Sequence, residues 1–544
     1  MEVFENVVNW LNNLVWSTPE QFPIMVVVLL GFGIFITLRL GFVQIRRFAH
    51  GVKSVMGIYD NPDDTGDVNH FQALTTALSA TVGIGNIAGV AIAIHYGGPG
   101  ALFWMWVTAF FGMAIKYTEC TLAVKHRIQN ADGSVSGGPM YYIEKGLGPN
   151  WKWLAVFFAS MAVICSFLTG NAVQANTVAD TMYSSFQIPS WISGLVTAGF
   201  VGVVIVGGIK RIGQVTARLM PLMAVIYILG ALVILIMNPG SILPSFQTIF
   251  VTAFTPEAGL FGVGSGIFLT TLVWGIKRGL FSNEAGQGSA PIAHGAAKTE
   301  EPVREGVVAL LEPFIDTIVV CTMTGLVIVS TNVWQERHEM VYEPQNSNNT
   351  VEITDGSNTL IIEDGVPVNG TVLRNDFETG EFYEETGKQT PFSGTLNIET
   401  GVFTDESGTA VATVYTSIIE NGAPLTSLAY EKGLAPLIPW GKHIVTICVL
   451  LFGVSTAISW SYYGDRAIQY LAGDNAILPY KVVYLIMHFF GAIFPLATVW
   501  AIGDIALGLM TFPNIIALFA LSGSVAVASK KYFDKMETWD ADNA

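Results

Sequence analysis

The residues best suited to do chemistry lie in an interrupted apolar run. Residues 80–89 read ATVGIGNIAG, so three glycines, together with Thr81 and Asn86, fall within a stretch long enough to cross a bilayer. Glycine lowers helix stability, and a buried asparagine needs hydrogen-bonding partners. If the helix opens here, its freed carbonyl groups can bind a cation and its freed N–H groups can bind a carboxylate. The alternative is that the glycines allow tight helix packing while Asn86 bonds to a neighbouring helix.

A second interruption is predicted where residues 274–289 read WGIKRGLFSNEAGQGS. Aromatic, small and charged residues alternate there at the end of a short apolar run, which is unusual for an ordinary connection. Glu284 is predicted to pair with Arg278 or Lys277 as part of an inner gate, and Trp274 is a candidate pocket wall. The alternative is a solvated loop ion pair, which contributes less than about 1 kcal/mol.

The elements that carry these residues are membrane helices. The chain has 544 residues, of which 51% are hydrophobic and 12% are charged, and that charged fraction is about half the value usual for soluble proteins. Apolar runs of about 20 residues recur, and lipid requires such runs to be helical. Eleven candidate spans lie near 23–43, 73–97, 100–124, 153–180, 190–208, 215–237, 261–276, 304–331, 439–463, 480–502 and 503–527. We therefore expect an all-α integral membrane protein whose surroundings are the lipid bilayer, and no nucleic-acid partner.

The basic residues predict the orientation of these spans. Lysine and arginine follow each odd-numbered span, whereas the connections at 97–100, 181–190 and 238–260 contain neither. Cytoplasmic connections carry the excess of basic residues, so the N-terminus is predicted outside and the tail 531–544 in the cytoplasm. The basic residues are Arg39, Arg46, Arg47, Lys53, Lys125, Arg127, Lys145, Lys210, Arg211, Lys277, Arg278, Lys298, Arg304, Arg466, Lys481, Lys530 and Lys531.

Residues 332–437 differ from the rest of the chain. Between Thr331 and Pro436 there are 17 acidic residues against four basic ones. Short candidate strands such as Thr350–Ile353 and Leu360–Glu363 alternate with Asp-Gly and Asn-Gly turns, the pattern of β-hairpins. We predict a small β-rich extracytoplasmic insertion between spans eight and nine. A partly disordered acidic loop is the alternative.

The two interruptions occupy matching positions in the chain. Residues 1–331 contain spans one to eight, and residues 438–530 contain spans nine to eleven. Leaving span one aside, a first group of five spans covers 73–237 and a second group begins at 261, and each group starts with the interrupted helix. A matched pair of Gly-broken segments predicts a 5+5 inverted-repeat transporter with one extra N-terminal helix.

Charged residues also occur within the predicted spans. Lys116 and Glu119, one turn apart in span three, are predicted to pair. Asp316 and Asp504 are carboxylates within spans, and such residues are usually functional.

Several blocks of sequence resemble the alanine or glycine:cation symporter family. They are TVGIGNIAGVA at 81–91, GGPMYYI at 137–143, RGLFSNEAG at 278–286, GSAPIAH at 288–294, SWSYYG at 459–464 and the GLM and PN motifs at 508–510 and 513–514. The resemblance covers about 40–330 and 438–530, and the insertion is not associated with the family's usual compact form. It implies a cytoplasmic-membrane importer of alanine or glycine, coupled to Na⁺ or H⁺, with no organic cofactor.

The segment VGIGN at 82–86 also resembles the unwound first core helix of the neurotransmitter:sodium symporter fold, and this implies a set of site residues. The N–H groups of Ile84 and Gly85 would receive the substrate carboxylate. One Na⁺ would be held by backbone oxygens near Ser79 and Val82 and by the hydroxyls of Ser455 and Thr456. Thr81 and Asn86 would form a second ion site or lock the break. Asn171 and Gln174 would line the substrate amine, although Gln174 as a link between helices is equally consistent with the sequence.

Two other function classes are compatible with parts of the sequence. Gly264-Ser265-Gly266 with His443 or His488 could belong to an intramembrane serine protease, but nothing in the sequence places the serine beside a histidine. A sensor or adhesion protein could use the insertion, with the helices as its anchor, but eleven spans with two matched breaks exceed what an anchor needs. The sequence specifies no oligomeric state.

Overall fold

The computed structural model describes residues 2–16, 18–19, 23–255, 267–344, 349–354, 356–374, 377–387, 390–494 and 497–542. Helices dominate the first half of the chain, and several of them begin or end at glycine or proline, as expected from the backbone preferences of these residues. The helices are α1 (Glu2–Trp16), α2 (Ile24–Arg39), α3 (Val43–Arg46), α4 (Phe48–Val55), α5 (His70–Thr81), α6 (Val90–Gly97), α7 (Ala101–Lys125), α8 (Pro139–Leu147), α9 (Lys152–Phe167), α10 (Val173–Phe186), α11 (Ser190–Ile205), α12 (Gly208–Met237) and α13 (Pro239–Thr252).

The second half continues with helices on both sides of the predicted insertion. They are α14 (Ile267–Asn283), α15 (Ala290–His294), α16 (Pro302–Ala309), α17 (Leu311–Pro313), α18 (Thr322–Thr331), α19 (Gly422–Leu434), α20 (Lys442–Ala472), α21 (Ile477–Gly491) and α22 (Ala497–Asp542). Turns of π-helix occupy Gly85–Gly89, Leu168–Ala172 and Phe314–Cys321, and short 3₁₀ turns lie at Pro149–Trp151, Val333–Gln335 and Asp474–Ala476. Turns of π-helix are rare and often mark functional positions.

Five helical stretches in the described part of the chain are long and apolar enough to cross a membrane. They are Pro149–Phe186, Gly208–Met237, Pro302–Thr331, Lys442–Ala472 and Ile502–Met536. A sixth candidate is the pair His70–Thr81 and Gly85–Gly97, whose two halves meet at an angle of 54°. The shorter apolar helices α2 and α11 match two further predicted spans in position. The structure is therefore a mostly helical chain of membrane-protein character.

Several predicted boundaries need correction. The seventh span was predicted to dissolve from residue 274, but α14 stays helical to Asn283, so Lys277 and Arg278 are helical rather than part of a connection. The predicted division between the last two spans at residues 502 and 503 is also wrong, because α21 ends at Gly491 and α22 is already helical at Ala497. The helices α1 and α13 were not predicted. The start of the predicted seventh span, 261–266, lies outside the described residues.

The insertion contains the predicted strands. A two-stranded hairpin precedes it, made of β1 (Ile128–Gln129) and β2 (Val135–Ser136). The insertion itself holds β3 (Arg337–Val341), β4 (Asn349–Ile353), β5 (Thr359–Glu363), β6 (Val366–Pro367), β7 (Gly370–Arg374), β8 (Phe377–Glu378), β9 (Phe382–Tyr383), β10 (Gly394–Asn397), β11 (Val402–Asp405), β12 (Ala410–Val411) and β13 (Tyr415–Ile419). They pair antiparallel in three sheets, ordered β12-β11-β10-β5-β6, β3-β13-β9 and β4-β7-β8. The strands predicted at 350–353 and 360–363 are confirmed, and the helix α19 was missed.

The interrupted helix lies inside the bundle. Its first half, α5, packs against α12 and α20, whereas its second half, α6, packs against α14. The unbroken helix α7 packs against α14 and α16 on the other side. Every residue from Ala73 to Ile87 is buried, so the polar groups of the break must find partners within the protein.

Candidate functional site

The predicted interruption of the first core helix is confirmed. α5 ends at Thr81, and three residues separate it from the π-helical turn that leads into α6. The side chain of Asn86 accepts a hydrogen bond from the backbone N–H of Gly83 at 2.8 Å, and the N–H of Asn86 donates to the carbonyl of Gly83 at 3.2 Å. Asn86 therefore satisfies one of the backbone groups that the break would otherwise leave unpaired.

Two hydroxyl groups of α20 meet a carbonyl group of α5 beside the break. Thr456 Oγ1 donates to the carbonyl oxygen of Ser79 at 3.1 Å, and Ser455 Oγ lies 3.4 Å from the same oxygen. A Cβ atom added to Gly83 would lie only 2.8 Å from Thr456 Oγ1. The structure thus brings together Ser79, Ser455 and Thr456. Val82, the fourth predicted ligand, directly precedes Gly83 in the break. Carbonyl and hydroxyl oxygens are the ligands that suit a hard cation.

Gln174 presents an unpaired oxygen to the same place. Its Nε2 donates to the carbonyl of Thr169 at 3.2 Å, whereas its buried Oε1 makes no hydrogen bond to any residue that the structure describes. That oxygen lies 3.8 Å from the position of a Cβ atom on Gly83. A buried amide oxygen without a donor is rare in proteins and indicates a missing partner.

Asn171 faces a different neighbour. Its Nδ2 donates to the carbonyl of Tyr484 at 2.8 Å, and its Oδ1 lies 2.7 Å from Nδ1 of His488 on α21. A regular α-helix would place Asn171 and Gln174, which are three residues apart, on one face. Residues 168–172 instead form a π-helical turn, which changes the phase of the helix between the two side chains. Only Gln174 of this pair reaches the break.

A buried carboxylate connects the two interruptions. Asp316, in the π-helical turn before α18, accepts hydrogen bonds from Asn86 Nδ2 at 2.6 Å, Ser282 Oγ at 2.8 Å and Thr317 Oγ1 at 2.7 Å. Asn86 belongs to the first interruption, and Ser282 is near the end of α14, where the second one begins. The sequence marked Asp316 as a carboxylate within a span, but it gave no sign of the π-helical turn that directs the side chain here.

The remaining predicted substrate contacts lie between α6 and α14. Ile84 is buried, and a Cβ atom on Gly85 would lie 3.6 Å from the ring of Phe281. Trp274 stacks on Tyr96, with ring centroids 4.5 Å apart and planes at 14°. Thr81 donates to carbonyl groups of its own helix at 3.3 and 3.5 Å, so its hydroxyl does not contact Asn86 here.

The second interruption is shorter than predicted and consists of residues 284–289. Glu284 has φ +52°, and Gly286 and Gly288 have φ +88° and +85°. A Cβ atom on Gly288 would meet the ring of Phe158 at 2.8 Å, so both the backbone conformation and the close approach favour glycine there. Ser289 donates a hydrogen bond to Glu284.

No ion pair joins Glu284 to Arg278 or Lys277 among the described side chains. The helix continues through Arg278, whose guanidinium lies 5.3 Å from the Trp274 ring and is attracted by Asp504. Glu284 is the first residue of the break, and its carboxylate is attracted by Lys116. The predicted gate pair is therefore not formed in this structure.

The predicted pair of Lys116 with Glu119 is also corrected. Lys116 Nζ lies 2.9 Å from Glu312 Oε1 of α17. Glu119 instead accepts hydrogen bonds from the backbone N–H of Gly288 at 3.1 Å and from Asn514 Nδ2 at 2.6 Å. A partner 196 residues away in sequence could not be read from helical spacing.

The two histidines of the protease alternative lie on α20 and α21. Ser265 lies outside the described residues. His443 stacks on Phe186, with ring centroids 4.8 Å apart, and His488 bonds to Asn171 and to Thr197 at 2.7 and 3.0 Å. Both imidazoles are therefore engaged in helix packing.

Helices interrupted beside clustered oxygen atoms, in a chain of membrane-protein character, define the class of secondary transporters. The model of the sodium:alanine symporter family matches residues 1–361 and 388–543. This chain belongs to that family.

Individual relatives agree with the family assignment. The chain is 41% identical over 543 residues to the sodium/alanine symporter AgcS of Methanococcus maripaludis, covering 99% of this chain and 100% of the relative. It is 32% identical to a putative sodium/proton-dependent alanine carrier protein of Bacillus subtilis, over 96% of this chain and 91% of the relative. It is 30% identical to a probable sodium/glutamine symporter of the same organism, over 98% and 91%. The family and these relatives are transporters, not enzymes.

Residues 362–387, which lie within the insertion at 332–437, are outside the match to the family model. The matched residues on both sides of this gap include all the helices of the core.

Proposed function

We propose that this protein is a secondary active symporter that imports small neutral amino acids, alanine and glycine, together with Na⁺ or H⁺, by alternating access around its two interrupted helices. The single observation that carries the proposal is the group of oxygen atoms at the first break. The Ser79 carbonyl, the Ser455 and Thr456 hydroxyls and the unpaired Gln174 Oε1 converge beside Gly83.

The coupling ion belongs between α5 and α20. Thr456 Oγ1 now donates to the Ser79 carbonyl, whereas Ser455 Oγ donates to Phe452 at 2.9 Å and lies 3.4 Å from the Ser79 oxygen. A cation between them can take all three oxygens as ligands, because the lone pairs of the hydroxyls are free to coordinate it. The backbone oxygen of Val82 would complete this site. These ligands favour Na⁺ over H⁺ as the coupling ion, because neither a hydroxyl nor a carbonyl oxygen takes up a proton near neutral pH.

The substrate belongs at the break itself. The N–H groups of Ile84 and Gly85 lie at the start of the second half-helix, where the helix dipole favours a carboxylate. The free oxygen of Gln174 suits the substrate ammonium group. The close approach of Gly85 to Phe281 leaves space for a small side chain, and Trp274 forms a wall farther along α6 and α14.

Asn86 has a second role in this proposal. It holds the first break in place through Gly83 and links it to Asp316. Asp316 and Asn86 are the candidate second ion site, and Ser282 would join them from the other interrupted helix. Thr81 would have to release its bonds to the carbonyls of Ala77 and Leu78 in order to take part. The charge of Asp316 would make this site selective for a cation.

The proposed fold has eleven transmembrane helices, arranged as a 5+5 inverted repeat behind an extra N-terminal helix in the cell membrane. In its support, α5–α6 and α14–α15 are both interrupted, and each stands at the head of its predicted repeat. The orientation follows the basic residues, with the N-terminus outside and the C-terminus in the cytoplasm. The connections that carry the basic residues contact one another, and we call the side of the core where they meet the basic end. Arg127 bonds to Ala297 and Thr299, and Arg466 bonds to Ser136.

With this orientation, the predicted gate residues divide between two gates. Glu284 would act on the cytoplasmic side of the second break, and Arg278 with Asp504 on the outer side. The insertion would be extracytoplasmic, and α19 would cover the outer half-helix, because Thr426 Oγ1 donates to the carbonyl of Ile87 at 3.0 Å. A sensor function of the insertion would not require this contact with the transport core.

The test is uptake of radiolabelled alanine and glycine by purified full-length protein in proteoliposomes. We expect accumulation when an inward Na⁺ gradient is imposed, and loss of accumulation when choline replaces Na⁺. If accumulation follows an H⁺ gradient without Na⁺, the ion assignment is wrong but symport stands. Failure of both gradients to drive accumulation of any small neutral amino acid would refute the proposal.

A further inference from the structure

A continuous group of ionisable side chains lies at the basic end of the core, apart from the proposed ion and substrate sites. We call it the inner cluster, and its members are Lys116 of α7, Glu312 of α17, His294 of α15, Glu305 of α16 and His70 of α5. Each of these side chains is at most 1% exposed. Lys116 Nζ lies 2.9 Å from Glu312, His294 Nδ1 lies 2.5 Å from Glu305 Oε1, and His70 Nδ1 bonds to Glu305 Oε2.

Two atoms of the inner cluster face each other without a hydrogen bond. His294 Nε2 and Glu312 Oε2 are both buried, both lack a hydrogen-bond partner among the residues with described positions, and lie 3.8 Å apart. A neutral imidazole that donates from Nδ1 to Glu305 presents only a lone pair at Nε2. A proton on both ring nitrogens gives His294 a donor towards each carboxylate, and its positive charge attracts Glu312 Oε2 at this distance.

The charges of the inner cluster also favour one added proton. With both histidines neutral, Lys116 balances one of the two carboxylates, and the inner cluster keeps one uncompensated buried negative charge, which is costly. One proton on the histidines makes the cluster neutral. The charged groups nearest to it from other segments are Glu119 of α7, Glu284 of the second break, Asp316 of the π-helical turn, Arg127 of the connection after α7 and Asp60 before α5.

The inner cluster joins the inner halves of both interrupted helices to a second group of segments, which we call the frame. His70 is the first residue of α5, and His294 is the last residue of α15, so both belong to the inner halves of interrupted helices. Glu305, Glu312 and Lys116 belong to segments that pack together around α7. The two inner halves are also tied to each other, because the N–H of Lys298 donates to the carbonyl of Val68 at 2.8 Å.

We propose that the inner cluster is a binding site for one exchangeable proton, and that this proton holds the inner halves of both interrupted helices against the frame. The orientation assumed here rests on the proposed function. With the proton bound, the His294 imidazolium bridges Glu305 and Glu312. The proton leaves to cytoplasmic water by way of Glu305, His70 and Asp60, starting from Nδ1 of His294, the ring nitrogen that contacts Glu305. His70 takes a proton on Nδ1 and gives up the one on Nε2, and the neutral His294 that remains keeps its hydrogen on Nε2 and presents a lone pair to Glu305. His70 Nε2 lies 3.5 Å from Asp60 Oδ1, and the Asp60 side chain is 43% exposed. Loss of the proton removes the bridging donor and releases α5 and α15.

The test is hydrogen–deuterium exchange of residues 290–301 in the full-length protein, from about pH 6 to pH 10, because the two carboxylates beside His294 retain its proton above the ordinary imidazole range. The rates are corrected for the intrinsic pH dependence. We expect the corrected exchange to increase at least about tenfold with pH, the effect of losing one hydrogen bond to a charged group. His294→Gln and Glu305→Gln should abolish this pH dependence. His443→Gln changes a histidine that stacks on Phe186 outside the cluster, and it should leave the dependence unchanged.

The pH dependence of exchange in the wild-type protein tests the proposal even if a variant of the cluster fails to fold. A corrected exchange rate that is independent of pH in the wild type, or a pH dependence that persists in folded His294→Gln, would overturn the proposal. The measurement does not require transport. A pH-dependent exchange in a protein that accumulates no amino acid would therefore support the proton site and refute the transport function separately.

Discussion

Asn86 donates a hydrogen bond to Asp316 across 2.6 Å, although the two residues are 230 positions apart in sequence. The same carboxylate accepts a hydrogen bond from Ser282 at 2.8 Å. One buried acidic side chain thus fixes the first interrupted helix relative to the second. Since alternating access requires the two helices to move in concert, this carboxylate lies where their movement can be coupled.

Asp316→Asn should therefore impair transport. The amide keeps the volume of the side chain but loses the charge and one acceptor oxygen, and hydrogen bonds to a charged group contribute about 1.5–3 kcal/mol each. We expect the initial rate of Na⁺-driven alanine uptake to fall more than about tenfold, the rate equivalent of about 1.4 kcal/mol. Asp180→Asn, at an exposed position of α10, is the matched control. An unchanged rate in folded Asp316→Asn protein would contradict the coupling role.

Gly83→Ala should block the site at the first break. The added Cβ atom would lie 2.8 Å from Thr456 Oγ1, so the hydroxyl would be displaced from the Ser79 carbonyl. We expect loss of Na⁺-stimulated uptake with little loss of expression. Gly89→Ala is the control, because an added Cβ there meets nothing within 4 Å. Equal uptake by the two variants would show that the close approach at Gly83 is not needed.

Arg127→Gln should weaken the contacts between the segments before α5 and after α15. The Arg127 guanidinium donates to the carbonyl groups of Thr65 at 2.9 Å, Ala297 at 2.7 Å and Thr299 at 2.6 Å. These carbonyls lie next to the inner halves of both interrupted helices. We expect faster limited proteolysis at 60–68 and 295–301, while Lys125→Gln, at an exposed neighbouring position, should behave as wild type. Identical digestion of the two variants would exclude this fastening role.

Thr426→Val should weaken the contact of the insertion with the core. The variant loses the hydrogen bond from Thr426 to the carbonyl of Ile87, which contributes about 1 kcal/mol. We expect a severalfold lower rate of alanine uptake, because the carbonyl belongs to the first interrupted helix. Ser407→Ala, in an exposed turn of the insertion, should have no effect. If both variants transport at the wild-type rate, α19 does not contribute to the transport core.

The position of the first break could be predicted from sequence because its signal is local. Glycines and a buried asparagine within an apolar run are visible without any tertiary contact. The hydroxyls of Ser455 and Thr456 were predicted from the resemblance to the neurotransmitter:sodium symporter fold, since nothing local distinguishes them from other hydroxyls in span nine. The strands of the insertion were predicted for the same reason, since alternation and turn residues are properties of short segments.

The remaining features depend on contacts between distant segments. The partner of Lys116 is Glu312 rather than Glu119, and helical spacing cannot distinguish a neighbour on the same helix from one on another. Asn171 turns away from the break because a π-helical turn precedes Gln174. The helix α19 carries few hydrophobic signals of its own, and its burial arises from packing against the core.

The proposed cation site between α5 and α20 is tested most directly by Thr456→Val. Valine has nearly the same shape as threonine but removes the hydroxyl that now meets Ser79. The measurement is the Na⁺ concentration that gives half-maximal alanine uptake in proteoliposomes, with Ser461→Ala as the control because its hydroxyl bonds within α20, to Ile458 at 2.7 Å. We expect Thr456→Val to raise this concentration at least about tenfold, equivalent to about 1.4 kcal/mol, and Ser461→Ala to leave it unchanged. An unchanged Na⁺ dependence in folded Thr456→Val protein would contradict the site.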